Sequence, residues 1–363
     1  MTDPAFGRFF LPGPTEVHPE VLAAMNRPMI PHRGPAMVEL LKRMAPRLQA
    51  LFRTGRPVMI GTCSATGFME MGVRCGVGQR VLSLVGGAFG SRFAALAEAC
   101  GKDVVRLEVP LGQTVEPDML RDALDRTEVD AVTLVHSETS TGALNPLAEL
   151  AAVVREREEV LLLVDAVTSM GALPVETDQW GLDFVLTGSQ KALALPPGLA
   201  LASASERFLE RAESVPERGG YLDVLAHDEA ARKHQPTNTP ALPLLFALDR
   251  QLERMEVAGG VEARWERHRE MLDQVDTWVD RQGGALGVRH LPASGRRSWS
   301  VSCLRTPDRV NGRAVAAALA EVGWTIGSGY GALKETTVRI GHMGDHDASE
   351  LEVLLQELQR VLG

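Results

Sequence analysis

Short apolar runs alternate with amphipathic stretches over the first two thirds of the chain. Five runs rich in branched aliphatic residues are short enough for buried strands, namely 81–85, 104–107, 131–135, 161–164 and 184–186. Between the strands, apolar residues recur at helical spacing. The clearest case is 35–52, where Met37, Leu40 and Leu48 fall on one face. This alternation predicts an α/β fold, with a mostly parallel sheet covered by helices on both faces.

The other elements of this part of the chain follow from the same patterns. Strands are predicted at 57–60 and, as a returning strand, at 199–202. Helices are predicted at 19–25, 68–73, 116–124, 146–155, 206–213 and 242–252. Residues 219–233 are mixed and predict no clear element.

Beyond Gly260 the pattern changes to a long helix followed by a smaller mixed unit. The elements predicted there are a helix at 260–280, a strand at 299–303, a helix at 310–322, strands at 325–326 and 336–340, and a helix at 348–362. We therefore expect an N-terminal arm (1–18), a large domain (19–258) and a small α+β C-terminal domain (259–363).

Composition and charge narrow the possible classes of function. The 363 residues carry a net charge of −9, which argues against a nucleic-acid or anionic-membrane partner. No apolar run approaches the ~20 residues that span a bilayer, and the first residues lack a signal-peptide pattern, so we expect a cytoplasmic protein. Four cysteines without C-x-x-C spacing and nine histidines without an H-E-x-x-H pattern predict neither a metal site nor a disulfide framework.

Two of the predicted strands lead into charged residues with complementary chemistry. The run 161–164 ends in Asp165, and the run 184–186 is followed by a small polar turn and then Lys191. Open α/β sheets hold their ligands at the carboxyl edge of the strands, where both residues would lie. Pyridoxal phosphate requires such a pair, because an amine bonds to its aldehyde and an acid keeps its pyridine nitrogen protonated.

Two further turns between a strand and a helix favour cofactor binding. Residues 61–67 (GTCSATG) offer backbone N–H groups and hydroxyls at a helix N-terminus, which suits a phosphate, although Ser and Thr are also ordinary N-caps. Phe89 lies between glycines that allow its ring to meet a flat partner, or it is a core residue. The Gly76-x-Gly78 pair lacks the third glycine of a dinucleotide fingerprint, which argues against a nicotinamide cofactor.

The strings Asp165-Ala166-Val167, Gly188-Ser-Gln-Lys-Ala-Leu193 and Pro196-Pro197-Gly198 resemble the class V aminotransferases, in particular their alanine–glyoxylate and serine–pyruvate branch. The resemblance extends over nearly the whole chain. It implies the aspartate-aminotransferase-like fold of pyridoxal-phosphate-dependent transferases, with a large seven-stranded sheet. It also implies pyridoxal 5'-phosphate as the cofactor and a homodimer with active sites at the interface.

The same resemblance assigns roles to individual residues. Lys191 and Asp165 are the expected catalytic pair. Residues expected to contact the phosphate, the ring faces and the phenolate oxygen of the cofactor are Ser64, Ala65, Thr66, Phe89, Thr139, Val167 and Gln190. The loop residues expected to reach the neighbouring subunit's phosphate are Gln235, Thr237 and Asn238.

Substrate binding is expected at two further positions. Arg339 lies inside an apolar strand, where an arginine is hard to bury without an anion, and the resemblance assigns it to the α-carboxylate; a structural salt bridge is the alternative. The resemblance also implies that the N-terminal segment passes over the active site, where Gly13 leaves room for the substrate; a plain terminal arm is the alternative. The pair His32-Arg33 is either a surface feature or, as in the phosphoserine branch, a phosphate ligand.

The expected reaction is ping-pong transamination from a small amino acid, alanine or serine, to a 2-oxo acid such as glyoxylate or pyruvate. Transamination of phosphoserine or 2-aminoethylphosphonate remains an alternative on the same fold. A lyase or a desulfurase is less favoured, since Gln190 stands where desulfurases have a histidine before the lysine. A non-enzymatic cofactor-binding protein is the remaining possibility.

Overall fold

The computed structural model describes residues 6–363, and within this range strands and helices alternate as predicted. The strands are β1 (Phe9–Phe10), β2 (Met59–Gly61), β3 (Arg80–Val85), β4 (Asp103–Glu108), β5 (Ala131–Val135), β6 (Ser137–Glu138), β7 (Ala143–Leu144), β8 (Leu161–Asp165), β9 (Phe184–Gly188), β10 (Ala200–Ala204), β11 (Arg289–His290), β12 (Ser302–Arg305), β13 (Thr325–Ser328) and β14 (Thr337–Ile340). Their lengths suit the short apolar runs from which most of them were predicted.

The α-helices of the same range lie mostly between these strands. They are α1 (Pro19–Ala24), α2 (Pro35–Phe52), α3 (Ala65–Gly76), α4 (Ala88–Ala99), α5 (Pro117–Arg126), α6 (Leu147–Arg155), α7 (Glu206–Ser214), α8 (Val224–Arg232), α9 (Leu242–Val257), α10 (Gly260–Trp278), α11 (Gly312–Glu321) and α12 (Ala348–Leu362). A π-helical turn, Val279–Gly283, continues α10, and a 3-10 turn, Gly331–Leu333, precedes β14. None of these helices has the length and apolar character that crossing a bilayer requires.

The large sheet has seven strands in the order β2-β10-β9-β8-β5-β3-β4. Neighbours from β9 to β4 are parallel, whereas β10 runs antiparallel to both β9 and β2. The predicted mostly parallel sheet and the returning strand are therefore confirmed. Because β8 and β9 are adjacent and parallel, their carboxyl ends meet at one edge of the sheet.

Helices cover both faces of this sheet, and the side chains of the central strands alternate between the two layers. Leu161 and Leu163 of β8 pack with α3, α4 and α7, while Leu162 and Val164 pack with α2, α6 and α9. Every residue of β5, β8 and β9 is buried. This double cover explains why these strands appear in the sequence as continuous apolar runs.

A second sheet has the order β1-β13-β14-β12-β11 and packs against α10, α11 and α12. Its first strand comes from the N-terminal segment, since Phe9 and Phe10 pair in parallel with Thr325 and Ile326. The N-terminal segment is therefore fixed to the C-terminal part of the chain.

The structure contains five elements that were not predicted, namely β1, β6, β7, β11 and α4, and two further segments differ from their prediction. The strand expected at 299–303 is Ser302–Arg305, and the preceding residues Ser298 and Ser300 instead hydrogen-bond through their hydroxyls to Ser137 of β6 and to the carbonyl of Thr168. The segment without a predicted element contains α8, which begins after an Asp223 side chain that caps it.

Candidate active site

Lys191 and Asp165 lie at the carboxyl edge of the large sheet. Asp165 is the last residue of β8, and Lys191 follows β9 after a short turn. That turn folds back on itself, since the N–H of Ala194 donates to the carbonyl of Lys191 (2.8 Å) and Ala194 adopts a left-handed φ of 52°. Non-glycine residues adopt this conformation rarely, and such strain clusters at functional sites.

Burial moves the pKa of both groups toward neutrality. The pKa of Lys191 is lowered to about 8, first because burial disfavours the ammonium and then because the Arg339 charge repels it. The pKa of Asp165 is raised to about 6 by burial, against the hydrogen bond from Val167. An amine and an acid tuned in this way can exchange protons near neutral pH.

The Asp165 carboxylate is 4% exposed and accepts one hydrogen bond, from the N–H of Val167 at 2.8 Å. Among the described residues no side chain donates to it. A buried carboxylate with a single neutral donor is poorly stabilised unless a cationic or protonated group approaches its free oxygen. Its surroundings therefore fit a protonated ring nitrogen.

Phe89 is held beside Lys191 by the N-terminus of α4. The carboxylate of Glu138 accepts from the N–H groups of Phe89 (3.1 Å) and Gly90 (3.1 Å), and the hydroxyl of Ser140 accepts from Ala88 (3.0 Å). These contacts satisfy the first N–H groups of the helix and give Glu138 a structural role. The Lys191 Nζ lies 5.9 Å from the Phe89 ring centroid.

Thr139 is buried at the same edge and shares a 2.5 Å hydrogen bond with the hydroxyl of Thr168. Its carbonyl accepts from the Nη1 of Arg339 (3.3 Å). Thr168 was not predicted as a site residue; its position three residues after Asp165 was the available signal.

Arg339 lies in β14 and reaches the edge of the large sheet from the second sheet. Its Nε donates to the carbonyl of Ser328 (3.0 Å), and its guanidinium stacks on the ring of Tyr330, with 5.5 Å from Cζ to the centroid. Burial lowers its pKa, although an arginine stays charged. No carboxylate among the described residues forms an ion pair with Arg339, so the alternative of a structural salt bridge has no partner there.

The N-terminal segment covers Lys191. The carbonyl of Pro12 accepts from the Lys191 Nζ, and the N–H of Thr15 donates to the carbonyl of Gln190 (3.0 Å). Gly13 has a φ of 104°, and a Cβ at this position would lie 2.4 Å from the Lys191 Nζ. A side chain at this residue is therefore excluded on two grounds.

The predicted phosphate turn lies next to the lysine turn. Helix α3 begins at Ala65, and Ser64 makes no side-chain cap, which leaves N–H groups of the first turn unpaired by that hydroxyl. A Cβ on Gly188 would lie 3.2 Å from the Cβ of Ala65 and 2.8 Å from the Oε1 of Gln190. The structure thus brings Ala65 and Gln190 together. Thr66 is half-buried in the same turn, and Val167 is half-buried beside Asp165.

The loop that contains Gln235, Thr237 and Asn238 lies near Thr62 of the predicted phosphate turn, whose hydroxyl accepts from the N–H of Ala241 (3.0 Å). Gln235 and Thr237 line a cavity of about 320 Å³ between α2, α8 and the outer strand β2, and Asn238 is exposed. None of the three hydrogen-bonds to Lys191 or Asp165 within the described chain. His32 and Arg33 likewise form no hydrogen bond to these two residues.

Arg264 is a buried residue that the sequence analysis did not single out. Its side chain is 5% exposed, and its Nε donates to the carbonyl of Ala192 at 3.1 Å. Its Nη1 contacts the carboxylate of Asp345 at 2.8 Å. Arg264 therefore joins the lysine turn to the loop between β14 and α12. Its position in an otherwise ordinary amphipathic helix gave no signal.

Comparisons with known proteins identify the family of the chain. Residues 90–352 match the family model "Aminotransferase class-V". An uncharacterized aminotransferase of Methanocaldococcus jannaschii is 35% identical over 340 residues, covering 92% of this chain and 87% of the relative. A Synechococcus protein named as the small subunit of a soluble hydrogenase is 34% identical, covering 96% and 92%. The chain belongs to the class V aminotransferase family, and it is an aminotransferase.

Solved structures show the same fold over the whole chain. An aspartate aminotransferase of subgroup IV from Thermus thermophilus superposes with a TM-score of 0.88 at 34% identity, covering 98% of this chain and 99% of that one. An alanine–glyoxylate aminotransferase from Nostoc sp. gives 0.91 at 30% identity, covering 100% and 97%. The predicted aspartate-aminotransferase-like fold is confirmed.

Proposed function

We propose that the protein is a pyridoxal-phosphate-dependent transaminase that moves the amino group of alanine or serine to glyoxylate or pyruvate. The observation that carries the proposal is that Lys191, Asp165 and Arg339 lie together at one edge of the sheet. Burial also shifts the pKa values of Lys191 and Asp165 toward 7. The Nostoc relative, named as an alanine–glyoxylate aminotransferase, supports the choice of substrates.

The donor set of this edge fits the cofactor. When bound, pyridoxal phosphate supplies an aldehyde for the amine and a ring that takes up electrons from the α-carbon. Asp165 would face the ring nitrogen, with Phe89 and Val167 on opposite faces of the ring and Thr139 at its phenolate oxygen. The phosphate would bind to Ser64, Ala65, Thr66 and Gln190, at the N-terminus of α3.

Lys191 performs the proton transfers in this proposal. A buried amine with a pKa of about 8 is neutral in a useful fraction of molecules, so it can accept the proton from the substrate's α-carbon and would deliver it to the carbon that carried the cofactor's aldehyde. Arg339 binds the α-carboxylate through its free guanidinium edge and thereby orients the Cα–H bond. Because Gly13 has no side chain, the N-terminal segment lies over Lys191 without a Cβ that would crowd the amine, and the substrate would bind beneath it.

We further propose a cytoplasmic homodimer in which Gln235, Thr237 and Asn238 serve the neighbouring subunit's phosphate. Gln235 and Asn238 are exposed, which leaves them available to a neighbouring subunit and supports the assignment. The four unpaired cysteines are typical of a reducing compartment.

Replacement of the lysine tests the proposed chemistry. Lys191→Ala is expected to abolish amino transfer from alanine to glyoxylate and to remove the absorbance band of the lysine-bound cofactor, because no other amine lies at this position. Lys233→Ala, which removes an exposed lysine directly after α8, is the matched control and should leave both unchanged. Undiminished transfer by Lys191→Ala would refute the proposal.

Aspartate is a second candidate donor, favoured by one observation. The guanidinium of Arg92 lies 5.2 Å from the Phe89 ring centroid, and no ion pair engages it among the described residues. A free cation beside the site suits a second carboxylate, and the Thermus relative is named as an aspartate aminotransferase. Half-reaction spectra with alanine, serine, aspartate, phosphoserine and 2-aminoethylphosphonate, each at equal concentration, would rank these donors.

A further inference from the structure

Tyr330 links the two halves of the site. It lies in the glycine-rich loop between β13 and β14, and its side chain is partly exposed. Its ring centroid is 6.0 Å from that of Phe89, at an interplanar angle of 39°, and 5.5 Å from the Cζ of Arg339. One exposed ring therefore contacts both the aromatic residue beside Lys191 and the arginine of the second sheet.

The backbone on either side of Tyr330 is fixed. The N–H of Gly329 donates to the carbonyl of Thr337 (2.8 Å), and the carbonyl of Tyr330 accepts from Leu333 (3.0 Å). A Cβ on Gly329 would lie 2.0 Å from the carbonyl oxygen of Leu333, so this close approach requires glycine. The loop holds the ring in place, while the Tyr330 hydroxyl has no hydrogen-bond partner among the described residues.

The stack on Tyr330 determines which part of the Arg339 guanidinium remains free. One face of the guanidinium lies on the Tyr330 ring. Its Nε donates to the carbonyl of Ser328, and its Nη1 donates to the carbonyl of Thr139. The Nη2 has no hydrogen-bond partner in the described part of the chain. The ring thus holds the guanidinium plane with an edge presented to a carboxylate, which prefers planar two-point binding.

A bound amino acid would contact the ring of Tyr330 through its side chain, at the end opposite to its carboxylate. Its carboxylate lies at Arg339 and its α-carbon must be reached by the Lys191 Nζ, which is 5.9 Å from the Phe89 centroid. A donor held in this way would have its side chain beside the Phe89–Tyr330 pair, because Phe89 lies near the amine and Tyr330 lies on the arginine. The ring of Tyr330 would then take up space that a larger side chain needs.

We propose that Tyr330 positions Arg339 and limits the amino donor to a small side chain, of the size of alanine, serine or aspartate. This inference rests on the proposed transamination. It assigns a function to the glycine-rich loop between β13 and β14, which the catalytic roles above leave unexplained.

The test compares Tyr330→Phe with Tyr330→Ala in the holoenzyme, using alanine and phenylalanine as donors. Tyr330→Ala should raise the KM for alanine, because Arg339 loses the ring on which it stacks. It should also increase the ratio of kcat/KM for phenylalanine over alanine by about tenfold or more, since removal of the Tyr330 ring makes room for a larger side chain. Tyr330→Phe keeps the ring and should retain the wild-type ratio. Arg269→Met, which breaks a 5.2 Å stack on Trp299, is the matched control and should leave the ratio unchanged.

A binding measurement separates positioning from folding. Spectral titration of each holoenzyme with propionate, an unreactive carboxylate, should give weaker binding for Tyr330→Ala and wild-type binding for Tyr330→Phe. An unchanged donor ratio together with unchanged propionate binding in Tyr330→Ala would overturn the inference. If wild-type protein reacts with no amino acid at all, the proposed function fails instead, so the two failures are distinguishable.

Discussion

Asp165 and Lys191 are both held in environments that disfavour their charges. A carboxylate with one hydrogen bond and an ammonium bound to a single carbonyl are both short of partners, and both are almost fully buried. Charged groups are rarely buried in this way without compensation, so each residue reduces the stability of the cofactor-free fold. Such costs are typical of sites in which a ligand completes the missing contacts.

Replacement of Asp165 by Asn should therefore stabilise the cofactor-free protein in a pH-dependent manner. The pKa of Asp165 is raised from 3.8 to about 6, so the folded state binds more protons than the unfolded state between these values, and stability falls as pH rises across that range. The expected gain above pH 6 is at most on the order of 3 kcal/mol, disappearing below pH 4. Urea unfolding at pH 4 and pH 7 measures it.

The matched control is another buried aspartate whose charge is compensated. Asp183 accepts two hydrogen bonds at 2.7 Å from Arg207, so Asp183→Asn should destabilise the protein at pH 7. A destabilised Asp165→Asn at pH 7 would contradict the account of the Asp165 environment.

At the residue scale, site residues could be predicted from the sequence where they belong to a contiguous motif. Asp165 and Lys191 directly follow apolar strands, and their chemistry is specific. Thr168 and Tyr330 were missed because a hydroxyl after a strand and a tyrosine among glycines are common features. Their partners, Thr139 for the former and Phe89 and Arg339 for the latter, are brought to them only by the fold.

At the element scale, prediction succeeded where burial imposes a pattern. The strands β5 and β8 are buried throughout and mostly apolar, and the α2 stripe is periodic, so their positions were found with the correct bounds or within one residue. The strand β1 has two residues and therefore no period, and its pairing with β13 depends on a distant segment. The N-terminal segment was therefore predicted as an arm, without the strand β1.

The lysine turn depends on a contact between elements, which gives a testable prediction. Arg264 of α10 donates to the carbonyl of Ala192, so Arg264→Lys, with fewer donors, should loosen the turn that presents Lys191. We expect a reduction in kcat of about tenfold and a shifted pH profile of the lysine-bound cofactor's absorbance. Stopped-flow half-reactions and a spectral pH titration measure these effects.

Arg207→Lys provides the comparison for Arg264→Lys. Arg207 is likewise paired with an aspartate and with backbone carbonyls, yet it lies away from the lysine turn. This variant should lose stability without a change in the pH profile. Equal spectral shifts in both variants would mean that Arg264 acts through general stability alone.

At the scale of the whole molecule, the proposed homodimer can be tested by mixing inactive variants. One carries Lys191→Ala; the other carries Gln235→Ala, Thr237→Ala and Asn238→Ala together. If the loop serves the neighbouring subunit, a mixed dimer contains one site with both an intact lysine and an intact loop, so activity returns on exchange of subunits. Light scattering should show twice the mass of one chain.

A lack of recovered activity after verified subunit exchange would assign the loop to its own subunit. A monomer at micromolar concentration would exclude the shared-site arrangement. The division of the chain at residues 18 and 258 stays a prediction as well, and limited proteolysis near those positions would examine it.

The pairing of Phe9 and Phe10 with β13 has a consequence for biosynthesis. The carbonyl of Phe9 also contacts His346, a residue separated from it by 337 positions along the chain. During translation Phe9 and Phe10 have no strand to pair with until β13 has been synthesised. Bringing together segments so far apart in the chain also has an entropic cost. We therefore expect the carbonyl of Pro12, which contacts the lysine amine, to be placed late in folding, so that a ribosome-bound chain lacking β13 would leave this amine uncovered.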